Sequence, residues 1–106
     1  MNTMDVSRSL RFLRVSSEVL GLDATHRMAI TFMAIAEAGD DGVEQATIQK
    51  LTESAQSSTS RNLKVLCNEL KLGEFFLDPA DGRRRLVRLT RTGKAAAAKI
   101  TGVLAK

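Results

Sequence analysis

The sequence predicts a mainly α-helical domain that carries one small β-hairpin, an α+β fold. Apolar residues recur at the three- and four-residue spacing of helices through most of the chain. Between residues 74 and 90, apolar and polar side chains instead flank a turn rich in Asp, Pro and Gly. The chain has 106 residues, which is room for one hydrophobic core, so we predict one domain over residues 1–106.

Composition and charge narrow the class of protein. The 43% hydrophobic and 26% charged residues are typical of a soluble globular domain, and no apolar run is long enough to span a membrane. The first residues do not resemble a secretory signal, so we expect a cytoplasmic protein without a membrane partner. His26 and Cys67, each the only residue of its kind, assemble no catalytic or metal-binding set. We therefore expect no enzyme, no cofactor and no metal, and we interpret Cys67 as a small buried hydrophobe.

The first helix, within residues 1–22, carries two apolar stripes. One consists of Val6, Leu10, Leu13 and Leu20. The other lies roughly 140° away and consists of Phe12, Val15 and Val19. A small domain can cover one such stripe with its own core, so we predict that the second contacts another copy of the chain. The alternative is that both stripes are buried within one chain.

A pair of short helices precedes the hairpin. Residues 24–38 are apolar almost all round, which predicts a central buried helix. A short helix follows at residues 44–53, with Ile48 and Leu51 on its inner side. Ser54 opens a segment dense in hydroxyl groups, which we expect to cap and begin the next helix. Two short helices joined by a tight connection, the second opening with small polar residues, are a helix-turn-helix.

That second helix continues through residues 61–71, and the hairpin follows it. We predict strands at residues 74–77 and 85–90 around the Asp78-Pro79-Ala80-Asp81-Gly82 turn. From Arg83 onward the chain has eight basic residues and no acidic one, a distribution that attracts a polyanion. The alternative is a solvated basic face without a partner.

A last helix is predicted over residues 93–106, with Thr92 as its cap. Its apolar face includes Ile100, Val103 and Leu104, which we expect to join the first helix in a homodimer contact. The small alanines of this helix would allow another helix to approach closely.

The hairpin also resembles the wing of the MarR family of transcriptional regulators. The matching residues are Asp78-Pro79-Ala80-Asp81-Gly82-Arg83, with Leu89-Thr90-Arg91-Thr92-Gly93 after the second strand. The family pattern is Asp-Pro-x-Asp-x-Arg, then Leu-Thr-x-x-Gly before a helix. The resemblance covers roughly residues 24–99 and includes Ser60-Arg61 in the helix that reads DNA.

The resemblance implies a winged helix-turn-helix. Its core would occupy residues 24–91, between dimerisation helices at 1–22 and 92–106. The implied function is a sequence-specific transcription regulator, a repressor, that binds double-stranded DNA at a pseudo-palindromic site as a homodimer. Family members are generally longer, and their additional C-terminal helices help to form a small-molecule pocket. Their absence here argues against a small-molecule effector.

The resemblance also assigns residues to the DNA contact. Those facing base edges in the major groove would be Gln56, Ser57, Ser60 and Arg61. Those facing phosphates would be Ser58, Asn62 and Lys64. In the wing, Arg83 would enter the minor groove beside Arg84 and Arg85, while Asp78 and Asp81 would stabilise the turn.

Alternatives to these assignments stay open at the level of the sequence. Each serine could merely cap a helix, and the wing residues could only stabilise a turn. For the function, the alternative is an interaction module: a winged helix whose exposed apolar stripes bind polymerase or another regulatory protein, with weak or no DNA binding.

Overall fold

The computed structural model describes residues 1–104; Ala105 and Lys106, the end of the predicted last helix, lie outside the described residues. The helices are α1 (Thr3–Leu20), α2 (His26–Ala38), α3 (Gln45–Thr52), α4 (Gln56–Lys64) and α5 (Arg91–Thr101). The strands β1 (Gly73–Leu77) and β2 (Arg85–Leu89) form one antiparallel sheet in which Phe75 lies opposite Val87. This architecture confirms the predicted mainly α-helical fold with a β-hairpin.

The hydrophobic core is centred on α2. Phe32 and Ile35 of this helix are 0% exposed, which confirms α2 as the central buried helix. Ile48 of α3 and Leu63 of α4 pack in the same cluster, and Val87 adds a side chain from β2. The helix-turn-helix and the hairpin therefore share one core, which fixes them relative to each other.

The two apolar stripes of α1 are used in the opposite sense to the prediction, except that Leu20 of the first stripe is also buried in the core. Phe12, Val15 and Val19, predicted to face a second copy, pack against the core of their own chain. The outward residues are Val6, Leu10 and Leu13, with 46%, 56% and 51% of their surface exposed. Periodicity defines two stripes without choosing between them. Tertiary packing makes the choice, because α1 contacts α2 and α5 with one side.

The last helix also differs from the prediction. Ile100 is 1% exposed in the single chain, so it is a core residue and not a surface for dimer contact. Val103 is half-buried and Leu104 is 54% exposed, in a short 3-10 turn at Gly102–Leu104. In α3, Leu51, which we predicted on the inner side, is 57% exposed, and Thr52 takes the inner position instead. The Thr52 hydroxyl is satisfied there because it donates to the carbonyl oxygen of Ile48 at 2.9 Å.

Both predicted helix caps were wrong. Helix α4 begins after Ala55, and the Ser54 hydroxyl instead donates to the carbonyl oxygen of Thr52 at 3.3 Å. Helix α5 is capped by Thr90, whose hydroxyl accepts a hydrogen bond from the backbone N–H of Gly93 at 3.0 Å. Thr90 follows a strand and keeps the extended backbone that a cap requires, whereas Thr92 already lies inside the helix.

The helix predicted over residues 61–71 changes its geometry midway. After α4 the chain forms a π-helical turn at Val65–Glu69, and the Leu70 N–H donates to the carbonyl oxygen of Val65 at 2.9 Å. Lys71 then adopts a left-handed backbone with φ 58°, which directs the chain into β1.

The hairpin is joined to the helical body by a third, short segment. Val43 and Val87 exchange two backbone hydrogen bonds of 2.9 Å each. Gly42, with φ 80°, precedes this pairing, and a Cβ there would lie 2.6 Å from the ring of Phe76. Glycine is therefore required both for the backbone conformation and for the close contact with the ring.

Gly93 is the glycine of the Leu-Thr-x-x-Gly pattern, and the structure gives it a physical role. A Cβ at this position would lie 1.9 Å from the carbonyl oxygen of Leu72. That carbonyl accepts the Thr90 N–H at 3.0 Å, so it cannot move without breaking the cap region. The start of α5 is thus in direct backbone contact with the start of β1.

We predict that Gly93→Ala lowers the free energy of unfolding by about 1–3 kcal/mol, because the added methyl group would overpack a rigid backbone contact. Urea unfolding followed by circular dichroism measures this change. Gly102→Ala is the matched control, since nothing lies within 4 Å of a Cβ there. Equal unfolding midpoints for the two variants would contradict the prediction.

Candidate nucleic-acid interface

Helix α4 presents a polar face next to a buried one. Thr59 and Leu63 are 1% and 0% exposed and hold the helix against the core. The surface residues comprise Gln56, Ser57, Arg61 and Lys64, which are exposed, and Ser58, Ser60 and Asn62, which are half-buried. No side chain caps the first turn of α4. The polar residues predicted to read DNA therefore lie on its surface without a capping role.

The tip of the wing is ordered by its aspartates. Asp78 accepts a hydrogen bond from the Ala80 N–H at 2.9 Å, and its own N–H donates to the carbonyl oxygen of Arg84 at 2.8 Å. Asp81 accepts from the backbone N–H of Arg83 at 3.1 Å and from its Nε at 3.3 Å. The Arg83 side chain is nevertheless 93% exposed, so the turn projects a guanidinium into solvent.

The two arginines that follow are held against the protein. Arg84 pairs with Asp78 at 3.3 Å and also with Glu44, the residue before α3. The Arg85 guanidinium lies over the ring of Phe75, 4.2 Å from its centroid. The charge of Arg84 is thus paired with two carboxylates, whereas the guanidinium of Arg85 packs on an aromatic ring and pairs with no acid among the described residues.

A groove of ≈ 380 Å³ lies between the wing and the helix-turn-helix. It is lined by Glu44, Gln45, Ala46, Gln49, Gln56, Arg84 and Arg85. Gln56 begins the predicted recognition helix, and Arg84 and Arg85 belong to the wing. The two predicted DNA-contacting elements therefore open onto one groove on the same side of the chain.

The basic run that begins at Arg83 is largely compensated by acidic residues from other parts of the chain. The pairs are Arg83 with Asp81, Arg84 with Asp78 and Glu44, Arg88 with Glu74, Lys94 with Asp40, and Lys99 with Glu18. The hydrogen bond and the charge of Lys94 lower the pKa of the Asp40 carboxyl. Within residues 1–104, no carboxylate pairs with Arg61, Lys64 or Arg85, so these cations of α4 and the wing stay available to a polyanion, as do Arg8, Arg11 and Arg14 on α1.

Several residues at this surface were not predicted from the sequence. Glu44 reaches Arg84 across 40 positions of the chain, and Gln45 Nε2 lies 3.5 Å from the carbonyl oxygen of Gln56. Phe75 and Phe76 support Arg85 and Arg88. The alternation of the strands could have placed these arginines beside the rings, since diagonal neighbours share a face of the sheet. No local pattern indicates the partners of Glu44 and Gln45.

These elements define a winged helix-turn-helix protein. No family model and no curated protein matches the chain. Among solved structures, it is similar to S. aureus MepR in complex with DNA, at 22% identity and a TM-score of 0.76, over 97% of this chain and 81% of that one. A mutant of E. coli MarR complexed with operator DNA gives 21% identity and a TM-score of 0.66, over 96% and 71% of the two chains.

MepR bound to ethidium bromide is also similar, at 23% identity and a TM-score of 0.72, over 92% of this chain and 69% of that one. At these identities the similarity shows the fold, and it confirms the winged helix-turn-helix that the hairpin pattern implied. Within residues 1–104, no helix is long and apolar enough to cross a membrane. The same residues bring together no cluster of three or more His, Cys, Asp or Glu side chains suited to a metal ion.

Cys67 is 8% exposed and belongs to the hydrophobic core. Burial raises the pKa of its thiol, because the thiolate would lose hydration there. At pH 8 the reactive thiolate should therefore be scarcer than in a free cysteine.

We predict that a disulfide reagent labels Cys67 more slowly than it labels a free thiol, on the order of tenfold or more at pH 8. The rate should rise with pH and reach the free-thiol rate in denaturing urea. Absorbance of the released thiolate measures it. Labelling of the folded protein as fast as the unfolded chain would contradict this prediction.

Proposed function

We propose that this chain is a sequence-specific transcription regulator of the MarR-like type that binds double-stranded DNA. The supporting observation is the common groove of Gln56, Arg84 and Arg85, which places the recognition helix and the wing on one side. A helix suits the major groove, and an exposed arginine suits the narrow minor groove beside it. The DNA complexes of MepR and MarR, which share the fold, favour the same use of this surface.

The roles of individual residues follow from exposure and chemistry. Gln56 and Arg61 are exposed on α4, and both side chains can make paired hydrogen bonds to base edges. Arg83 projects from the wing tip, and its weakly hydrated guanidinium suits a narrow minor groove. Lys64 carries no ion pair within residues 1–104 and is suited to a phosphate. We propose that the protein represses transcription in the cytoplasm from a pseudo-palindromic site.

We further propose a homodimer, with a changed interface. The exposed apolar residues of α1 are Val6, Leu10 and Leu13, on the side away from the core. Leu104, 54% exposed near the end of α5, extends the apolar surface of the chain. In a symmetric dimer, the α1 faces of the two protomers would pack against each other. The dimer would then present two recognition helices to two half-sites.

We predict that Arg83→Ala weakens binding to all duplexes, because it removes an attraction to the negative potential of the DNA minor groove that depends little on sequence. Gln56→Ala should change the preference at one base pair, by about 1–3 kcal/mol. Fluorescence anisotropy with duplexes selected from a random pool, at two salt concentrations, measures both. Lys99→Ala, which removes one positive charge outside the groove, is the control and should bind like the unmodified protein.

A pool that yields no preferred sequence, together with a shallow salt dependence, would contradict the DNA-binding proposal. That outcome would favour the interaction module, whose binding surface would be the exposed apolar residues. A Gln56→Ala protein that weakens equally on every sequence would contradict only the base-reading role of Gln56.

For the dimer, we predict that Leu10→Asp produces a folded monomer, because it places a charge on the outer face of α1. Light scattering after size-exclusion chromatography measures the mass, and circular dichroism checks the fold. Leu77→Asp is the matched control, an exposed leucine on β1, away from α1, that should leave the dimer intact. A Leu10→Asp protein that remains dimeric, or an unmodified protein that is monomeric, would contradict this interface.

A further inference from the structure

We infer that Glu44 is a positioning residue for DNA binding, which holds the wing in a fixed place relative to the recognition helix through its ion pair with Arg84. The inference rests on the proposed function and deepens it. Glu44 itself is acidic and lines the groove that would face DNA. On charge alone it should oppose binding, so its presence there needs a reason.

The contacts supply that reason. Arg84 closes the wing turn, since its N–H donates to the carbonyl oxygen of Asp81 at 2.9 Å and its carbonyl accepts the Asp78 N–H at 2.8 Å. Its guanidinium bonds Asp78 within the wing and Glu44 outside it. One side chain thus connects the ordered turn to the first residue before α3.

The connection continues towards the recognition helix. Gln45, next to Glu44 in the chain, begins α3, and its Nε2 lies 3.5 Å from the carbonyl oxygen of Gln56 at the start of α4. Glu44 makes no side-chain cap bond to α3, so its carboxylate is committed to the wing and not to the helix. The path from wing tip to recognition helix therefore runs through Arg84, Glu44 and Gln45.

A fixed distance between the wing and α4 matters because the two elements would occupy neighbouring grooves of one duplex. A wing that moves independently must be ordered on binding, which costs conformational entropy. The Glu44 and Arg84 side chains are 34% and 51% exposed, so the pair should contribute little to global stability. Its loss should thus change the order of the wing and DNA affinity more than it changes the melting temperature.

The test is Glu44→Gln, which keeps the shape and removes the charge. We expect affinity for the selected duplex to fall about two- to fivefold, the range for losing a modest ion pair. If Glu44 were only an acid near DNA, the same change would raise affinity, because repulsion would be removed. The sign of the effect therefore distinguishes the two roles.

Two further variants sharpen the test. In an Arg84→Gln background, Glu44→Gln should cause no further loss, because its partner is already absent. Glu74→Gln is the matched control: it removes an acid and the 3.1 Å pair with Arg88 within the hairpin, without a link to α3. We expect this control to bind as tightly as the unmodified protein or more tightly.

A readout without DNA keeps the inference separate from the proposed function. In Glu44→Gln, the steady-state heteronuclear NOE of the wing amides at residues 80–83 should fall, while the values for α4 stay unchanged. Unchanged wing values, tighter binding, or an equal loss in the Arg84→Gln background would overturn the role of Glu44. Failure of the unmodified protein to bind any duplex would overturn the proposed function, and the NOE would still show whether the tether exists.

Discussion

The backbone pairing of Val43 with Val87 holds the hairpin on the helical body, and the rest of the proposed DNA-binding surface depends on it. Val43 lies in the segment between α2 and α3, and Val87 belongs to β2. Val87 is 1% exposed, so the strand that carries the wing also fills the core. The middle of β2 therefore cannot move without opening the core, whereas the turn beyond it depends on contacts of its own, such as the pair of Arg84 with Glu44.

The basic residues that cluster in the C-terminal part of the sequence are partly paired with acidic residues in the folded chain. The run of basic residues from Arg83 suggested a one-sided cationic segment, yet acids from α1, from the segment after α2 and from β1 pair with three of its residues, Lys99, Lys94 and Arg88. Beside the groove, Arg61, Lys64 and Arg85 have no carboxylate partner among the described residues, and the Arg83 side chain is 93% exposed. These cations can attract a polyanion to the groove, although α1 also carries arginines that are unpaired within residues 1–104.

Much of the fold could be predicted because its signals are local. Helical periodicity located the five helices, and Asp-Pro-x-Asp-Gly marked the hairpin turn. The errors share a physical cause, since they concern choices made by tertiary packing. Phe12 and Leu10 lie on two equally regular stripes, and only the position of the core decides between them. The pairing of Glu44 with Arg84, 40 residues apart, leaves no local trace.

A two-stranded hairpin is marginal by itself in water, so the wing needs support from outside its own ladder. The structure supplies support on both faces. Phe75 lies under Arg85 on one face, and Phe76 lies under Arg88 on the other, with guanidinium carbons 4.2 and 4.1 Å from the ring centroids. Val43 extends the ladder by pairing with Val87 at the middle of β2. These contacts exist in the free chain, so DNA would meet a preformed arm, and less conformational entropy would oppose binding.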